Sequence, residues 1–406
     1  MNNPSRQDEP AELRPAPARI PISAARLDAG RNYPALRVLQ VTPLFYPHAG
    51  GIETHVYQVT HRLVQMGVEV TVLTTDPTGL LPTADEVDTI RVRRVRSWPP
   101  DRDYYLAPAL YKFIQRGSWD IMHVQSYHTL VPPLAMLAAL RAHLPYVLTF
   151  HGGGNSAWLR NKARRLQRSL LRPLLIRARR LVAVAGFEIE QYGQELRIPA
   201  TRFALIPNGA DLPEATLTPA PVPSSRPLIA SVGRLERYKG HQRMIEAMPY
   251  VLEARPDARL WIAGSGPYEA DLRRLVQTMN LDEQVEIRAI PPGERARMAE
   301  ELLRTSLVVL LSDYETHPIA ALEALALGRP VLVADSSGMR ELAQKGLARS
   351  VSPTATPRQI ADAVLAQLND PLMPKRIELP TWDDCAQGLL QLYESVLKEP
   401  ANAAAR

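Results

Sequence analysis

Residues 307–333 constrain this chain more than any other stretch. Leu307-Val308-Val309-Leu310-Leu311 is an uninterrupted apolar run, the pattern of a strand buried on both faces. Asp313-Tyr314-Glu315-Thr316-His317-Pro318 breaks it, and a helix follows. Gly328-Arg329-Pro330 then stops that helix, and Val331-Leu332-Val333 opens a second apolar run. Strand, loop, helix, strand is the unit of a parallel sheet. Glu315 falls in the loop after the strand's carboxyl end, where open α/β sheets bind ligands. Glu323 follows about two turns into the helix. Proline is suited to a first helical position, where its missing donor would be unpaired anyway, so the spacing predicts a helix opening at His317-Pro318. The amide groups left free there, with the helix dipole, would attract an anion. Spacing alone also fits a solvated pair of carboxylates flanking a helix.

With 406 residues the chain is too long for one compact core and implies two domains. No apolar run reaches the roughly 18 residues of a spanning helix, and the first residues carry no apolar signal region. The single Cys385 excludes an internal disulfide and fits a reducing compartment, so a cytoplasmic location is expected. The net charge of +6 is uneven: residues 1–200 hold 25 Lys/Arg against 16 Asp/Glu, or +9, and the remainder 23 against 26, or −3. The first half therefore favours anionic surroundings.

Residues 1–34 lack apolar periodicity and read as a disordered lead. A strand is expected at Leu36–Val41, followed by a Gly50-Gly51 turn and a helix from about Ile52 to Met66. Such a turn allows close approach to a phosphate or a sugar, although most Gly-Gly pairs are only turns. Tyr146–Phe150 is another strand, and it delivers His151 and Gly152-Gly153-Gly154 to a position where a ligand could sit; a structural turn histidine is the alternative. Asp101-Arg102-Asp103 lies in a proline-rich loop and is not read as a metal site. From Arg160 to Arg180 there is no acidic residue. Arg164, Arg165, Arg168 and Arg172 with interspersed leucines suit an anionic lipid surface, a solvated helix packing on its own domain, or a polyanion. The proline-rich residues 211–227 read as a linker. Ile229–Gly233 opens the second half and leads to Arg234 and Lys239, and a strand at Arg259–Ala263 runs into Gly264-Ser265-Gly266-Pro267. Thr381-Trp382-Asp383-Asp384 starts a last helix with a threonine or aspartate cap.

Several of these strings, in order over residues 36–398, resemble the retaining glycosyltransferases of family 4: Gly-Gly-Ile-Glu-Thr-His-Val near residue 50, Pro-Asn-Gly-Ala-Asp at 207–211, the Arg234 and Lys239 pair, Gly-Ser-Gly-Pro, and the two glutamates followed by Ala-Leu-Ala-Leu-Gly-Arg-Pro-Val. The resemblance implies an α/β fold of two Rossmann-like domains with a cleft between them, the GT-B architecture. Residues 35–210 would form the acceptor-side domain, 228–381 the nucleotide-sugar domain, and a helix over about 382–398 would cross back. It also implies that His151 and Glu315 approach the transferred sugar, with Thr316, His317, Pro318 and Ile319 as the donor-sugar loop. Arg234 and Lys239, with Gly50 and Gly51, would face the donor diphosphate; Glu323 would hold the ribose, with Gly264 and Gly266 packed near the nucleotide. Relatives usually carry Phe-Gly where this chain has His317-Pro318.

The expected reaction is transfer of a sugar from a nucleotide diphosphate donor, a UDP- or GDP-sugar, to a hydroxyl with retention of configuration. It would need no metal and no other cofactor. The expected acceptor is a glycan or a lipid-linked precursor, with an anionic membrane surface on the inner face as a further partner and no nucleic acid. The competing readings are a non-catalytic scaffold that binds saccharides or membranes, and a sugar-nucleotide epimerase on the same fold.

Overall fold

The computed structural model describes residues 36–48, 50–99, 106–152, 158–209, 226–291, 294–374 and 379–400, with side chains of 158–166 excepted. The expected lead at 1–34, the Asp101-Arg102-Asp103 stretch, Gly153 and Gly154, the side chains of Arg164 and Arg165, and nearly all of the expected linker at 211–227 lie outside the described residues.

Among these residues the strands form two sheets. The first contains β1 (Arg37–Val41), β2 (Glu69–Asp76), β3 (Ala84–Val87), β4 (Ile90–Arg96), β5 (Ile121–Gln125), β6 (Tyr146–Thr149), β7 (Arg180–Ala183) and β8 (Phe203–Leu205). Their order is β3-β4-β2-β1-β5-β6-β7-β8, parallel throughout except that β3 pairs antiparallel with β4 at the edge. The second contains β9 (Leu228–Val232), β10 (Arg259–Ala263), β11 (Val285–Ile287), β12 (Leu307–Leu310), β13 (Val331–Ala334) and β14 (Arg349–Val351), ordered β11-β10-β9-β12-β13-β14 and wholly parallel. Parallel strands need crossover helices, and those helices cover both faces. The first unit carries α1 (Gly51–Gln65), α2 (Pro108–Arg116), α3 (Val131–Arg141), α4 (Trp158–Leu175) and α5 (Gly186–Leu196). The second carries α6 (His241–Ala254), α7 (Glu269–Thr278), α8 (Arg295–Leu303), α9 (Ile319–Ala326), α10 (Ser337–Gln344) and α11 (Pro357–Asn369). Each sheet sits between apolar layers, so the fold is two Rossmann-like units meeting at a cleft.

The last helix, α12 (Trp382–Lys398), returns to the first unit. Its capping box is complete: the Thr381 hydroxyl accepts from the Asp384 amide while the Asp384 carboxylate accepts from the Thr381 amide. Trp382, Leu389, Leu392 and Val396 pack with Val38, Val59, Leu63 and Val147 in one apolar cluster, and Arg62 of α1 pairs with Asp383 at 2.5 Å. A side chain on Gly209 would collide with the Trp382 backbone, so glycine is what lets the helix seat there.

Candidate active site

The carboxyl ends of β1, β6, β9 and β12 bring most of the expected residues into one interdomain region. Gly240, in the left-handed region at φ 77°, turns the chain so closely past the Leu311 carbonyl that a Cβ would clash. That turn directs Lys239 onto Glu315, and the two form an ion pair with both side chains largely buried. Burial works against the Lys239 charge, but the Glu315 carboxylate beside it outweighs this and leaves the ammonium pKa raised. Glu315 itself is held from below: its amide donates to Ser337 Oγ at 2.8 Å and its carbonyl accepts from the Gly338 amide at 2.8 Å. Arg234 stands at the mouth with 69% of its side chain exposed and 3.7 Å from Glu236. It lies close enough to favour the charge of Glu53, on α1 across the cleft, whose carboxyl is otherwise raised by burial. Gly50 and Gly51 open α1 at this point; Gly51 has open space around it, while a Cβ on Gly50 would meet the Glu53 carboxylate.

Glu323 of α9 is nearly buried and pairs with Arg295 of α8. Burial raises its carboxyl, and Arg295 pulls it back down. Gly264 and Gly266 lie against the backbones of Gly233 and Leu235, where a Cβ has no room. They bring the β9 and β10 loops into contact.

His151 follows β6 with φ 45°, a left-handed conformation that costs a non-glycine residue energy. Its Nε2 is 2.7 Å from Gln125 Oε1, and its ring stands 4.6 Å from that of His55 in an edge-on arrangement. Burial, then the neighbouring histidines, holds it well below the ordinary imidazole pKa, so it is neutral. His55 is also neutral, lowered to about 4 by burial and held at Nδ1 by Asn208 at 2.7 Å.

The loop at 315–319 does more than face a ligand. Thr316 Oγ1 donates to the Gly152 carbonyl of the first unit. The His317 ring is taken up beside the backbones of Asn208 and Val184, and burial lowers it to about 4. Ile319 packs against the cluster beneath α12. Tyr314 meets Phe187 edge-on at 5.8 Å, and the Phe187 amide donates to Glu341 at 2.7 Å. Thus the side chains of His317 and Ile319 pack into the interface between the two units. The helix start is corrected. Pro318 is the flanking residue and the helix opens at Ile319; the Ile319 amide is spent on His317 and that of Ala321 on Pro318, so fewer amides remain for an anion than expected.

In the basic stretch, the two named arginines whose side chains are described, Arg168 and Arg172, are turned onto the protein. Arg168 is buried, paired with Glu195 at 2.8 Å and lying over the Tyr192 ring; Arg172 donates to the Leu196 carbonyl at 2.6 Å. Both guanidiniums fasten α4 to α5, with the Glu195 carboxylate and the Leu196 carbonyl of α5 as their acceptors. Sequence reasoning also passed over Arg295, Glu53 and Glu188. Glu188 is fully buried, accepts from the Gly152 amide at 3.1 Å and the Val184 amide at 2.9 Å, and is raised by burial to about 7. Only its position behind a strand end could have marked it.

Two largely parallel sheets, each closing on a glycine-lined loop with charged side chains facing a common cleft, define a two-domain α/β protein of the GT-B architecture. Residues 49–214 match Glycosyltransferase Family 4 and residues 217–379 match Glycosyl transferases group 1. The chain belongs to this glycosyltransferase family. A D-inositol 3-phosphate glycosyltransferase of Nocardia farcinica is 26% identical over 92% of each chain. Among solved structures, sucrose-phosphate synthase from Thermosynechococcus elongatus superposes with a TM-score of 0.65 at 20% identity over 89% of this chain and 96% of its own. Anabaena HepE in complex with UDP and glucose gives 0.64 at 18%, over 89% and 97%. The chain is accordingly a glycosyltransferase acting on a nucleotide-sugar donor.

Proposed function

We propose that this enzyme transfers a sugar from a nucleoside diphosphate donor to a hydroxyl with retention of configuration and without a metal ion, and that Lys239, Arg234 and Glu315 carry the step. The observation behind this reading is the buried Lys239–Glu315 pair facing the cleft beneath exposed Arg234. Departure of the sugar builds negative charge on the diphosphate and positive charge on the anomeric centre. A preorganised ammonium and guanidinium lower the barrier for the first, and a nearby carboxylate for the second. With two cations on the leaving group, a divalent ion has no necessary role. Glu323 is suited to the ribose hydroxyls, because a buried carboxylate that already accepts from Arg295 keeps acceptor sites for hydroxyl donors. The acceptor lies on the side of the first unit, which carries the positive charge excess, and the inositol phosphate acceptor class named for the Nocardia relative suits that sign. Radiolabelled UDP- and GDP-sugars, each with and without EDTA and an inositol phosphate or glycan acceptor, test the reading. Product whose anomeric coupling matches the donor supports it; an inverted product, or transfer abolished by EDTA, refutes the corresponding part.

A peripheral membrane location draws on a different observation. Leu130 and Leu137 at α3 and Leu170 on the adjoining α4 are exposed, at 43%, 47% and 70%, while among the described residues no helix is long and apolar enough to cross a membrane. Cosedimentation with anionic vesicles at low salt, lost on Leu137→Asp and Leu170→Asp, is the expected result.

A further inference from the structure

On the face of the first sheet beneath α12 the lining changes character along the strands. Toward the amino ends it is apolar, with Val38, Ile121 and Val147; toward the cleft it becomes Gln40, His123, Gln125 and Thr149, all with no exposed surface. Burying unpaired amides and imidazoles is costly, so polar side chains here require partners. They have them, in one unbroken chain. His151 Nε2 lies 2.7 Å from Gln125 Oε1; Gln125 Nε2 donates to Gln40 Oε1 at 2.8 Å; Gln40 Nε2 donates to Tyr393 Oη of α12 at 3.0 Å. Tyr393 Oη then lies 2.6 Å from His123 Nδ1, and His123 Nε2 lies 2.7 Å from Thr149 Oγ1.

The chain has a direction. The amides are oriented with oxygen toward His151 and nitrogen toward Tyr393; so oriented, Gln125 accepts from His151 Nε2–H and Gln40 donates to the Tyr393 hydroxyl. The Tyr393 proton is then free to go to His123 Nδ1, and His123 Nε2 lies against the Thr149 hydroxyl. Resting on the reading that His151 faces the donor sugar, we propose that Gln125, Gln40 and Tyr393 are positioning residues that lock His151 as the Nε2–H tautomer and present its Nδ1 to the cleft as a hydrogen-bond acceptor for a sugar hydroxyl. His151 Nδ1 makes no hydrogen bond to a described residue, which leaves it free to accept one from a ligand. His123, neutral through burial, closes the far end. A helix that begins beside the second unit therefore sets the proton of a histidine in the cleft.

The test uses the full-length chain labelled with 15N-histidine, with long-range proton–nitrogen spectra and His151 assigned through His151→Ala. The wild-type ring is expected as a single Nε2–H tautomer, shifting on Tyr393→Phe to a mixture of tautomers. Turnover in Tyr393→Phe should drop by about tenfold, as when an outer partner of a functional histidine is removed, with donor KM within about twofold. Gln125→Glu should make His151 titrate at a higher pH, because a carboxylate accepts from either charge state and favours the imidazolium; this second variant serves if Tyr393→Phe does not fold. An Nδ1–H ring in the wild type, a tautomer indifferent to Tyr393→Phe, or a His151 titration unmoved by Gln125→Glu overturns the proposal. Because the tautomer is read without donor or acceptor, absence of sugar transfer would refute the proposed function while leaving this result standing.

Discussion

Arg234 and Lys239 carry like charges in the same loop, yet their surroundings make them different experiments. Arg234 is exposed and only loosely paired, so Arg234→Ala should leave the melting temperature unchanged. It should lower kcat/KM by about 10²- to 10³-fold, the size of losing one charge-stabilising donor. Lys239 neutralises a buried carboxylate. Lys239→Ala should therefore cut activity and stability together, since it leaves Glu315 charged and alone; a melting scan beside a donor titration separates the two cases. Protonation gives a second prediction. His55, His241 and His317 have folded pKa values lowered to about 4 by burial. Between the ordinary histidine value near 6.5 and 4 the unfolded chain binds more protons, so stability present above about pH 6.5 is lost as pH falls toward 4. Glu188 acts in the opposite sense: raised to about 7, it takes up a proton in the fold and adds stability as pH falls from 7 toward its unfolded value. His123 and His151, also lowered by burial, act with these three, and the five histidines together lose more on acidification than Glu53, Glu188, Asp313 and Glu323, each raised by burial, regain. Melting temperatures measured from pH 7.5 to 4 should fall, and His241→Gln should flatten the curve.

Among the elements, the helix ends show what sequence could and could not convey. A threonine or aspartate cap for α12 is readable in the sequence, and the structure makes Thr381 that cap; Thr381→Ala should cost about 1 kcal/mol in urea unfolding. The strand–loop–helix unit around Glu315 was readable too, because a buried parallel strand is an apolar run. What was hidden is where the loop's side chains go. His317-Pro318 looked like a helix start facing a ligand, but the site turns on Asn208 and Val184, more than a hundred residues earlier, and local pattern carries no trace of a partner so distant. The arginines of α4 were hidden for a related reason: charge count says nothing of which face meets α5. Gly338 is the reverse case, a plain glycine in sequence whose absent side chain leaves room for the Thr316 carbonyl. Gly338→Ala should push the Glu315–Thr316 loop out of place and lower turnover more than it lowers the melting temperature, read by kinetics and calorimetry on the same sample.

For the molecule as a whole, the first sheet's apolar face is completed by a helix that follows the entire second unit in sequence. The second unit closes its own two layers without help from α12. A polypeptide of residues 226–374 should therefore show a cooperative melt by circular dichroism. One of residues 36–209 should not, until a peptide of residues 379–400 is added. A first fragment that melts cooperatively alone would contradict the packing described around Trp382.

That arrangement has a consequence for biosynthesis. A ribosome releases the amino-terminal half long before it makes the segment that covers Val38 and Val147. The nascent enzyme thus spends roughly the second half of its translation with that surface bare, a window in which a chaperone would have something to hold and in which codon usage over the middle of the message would matter.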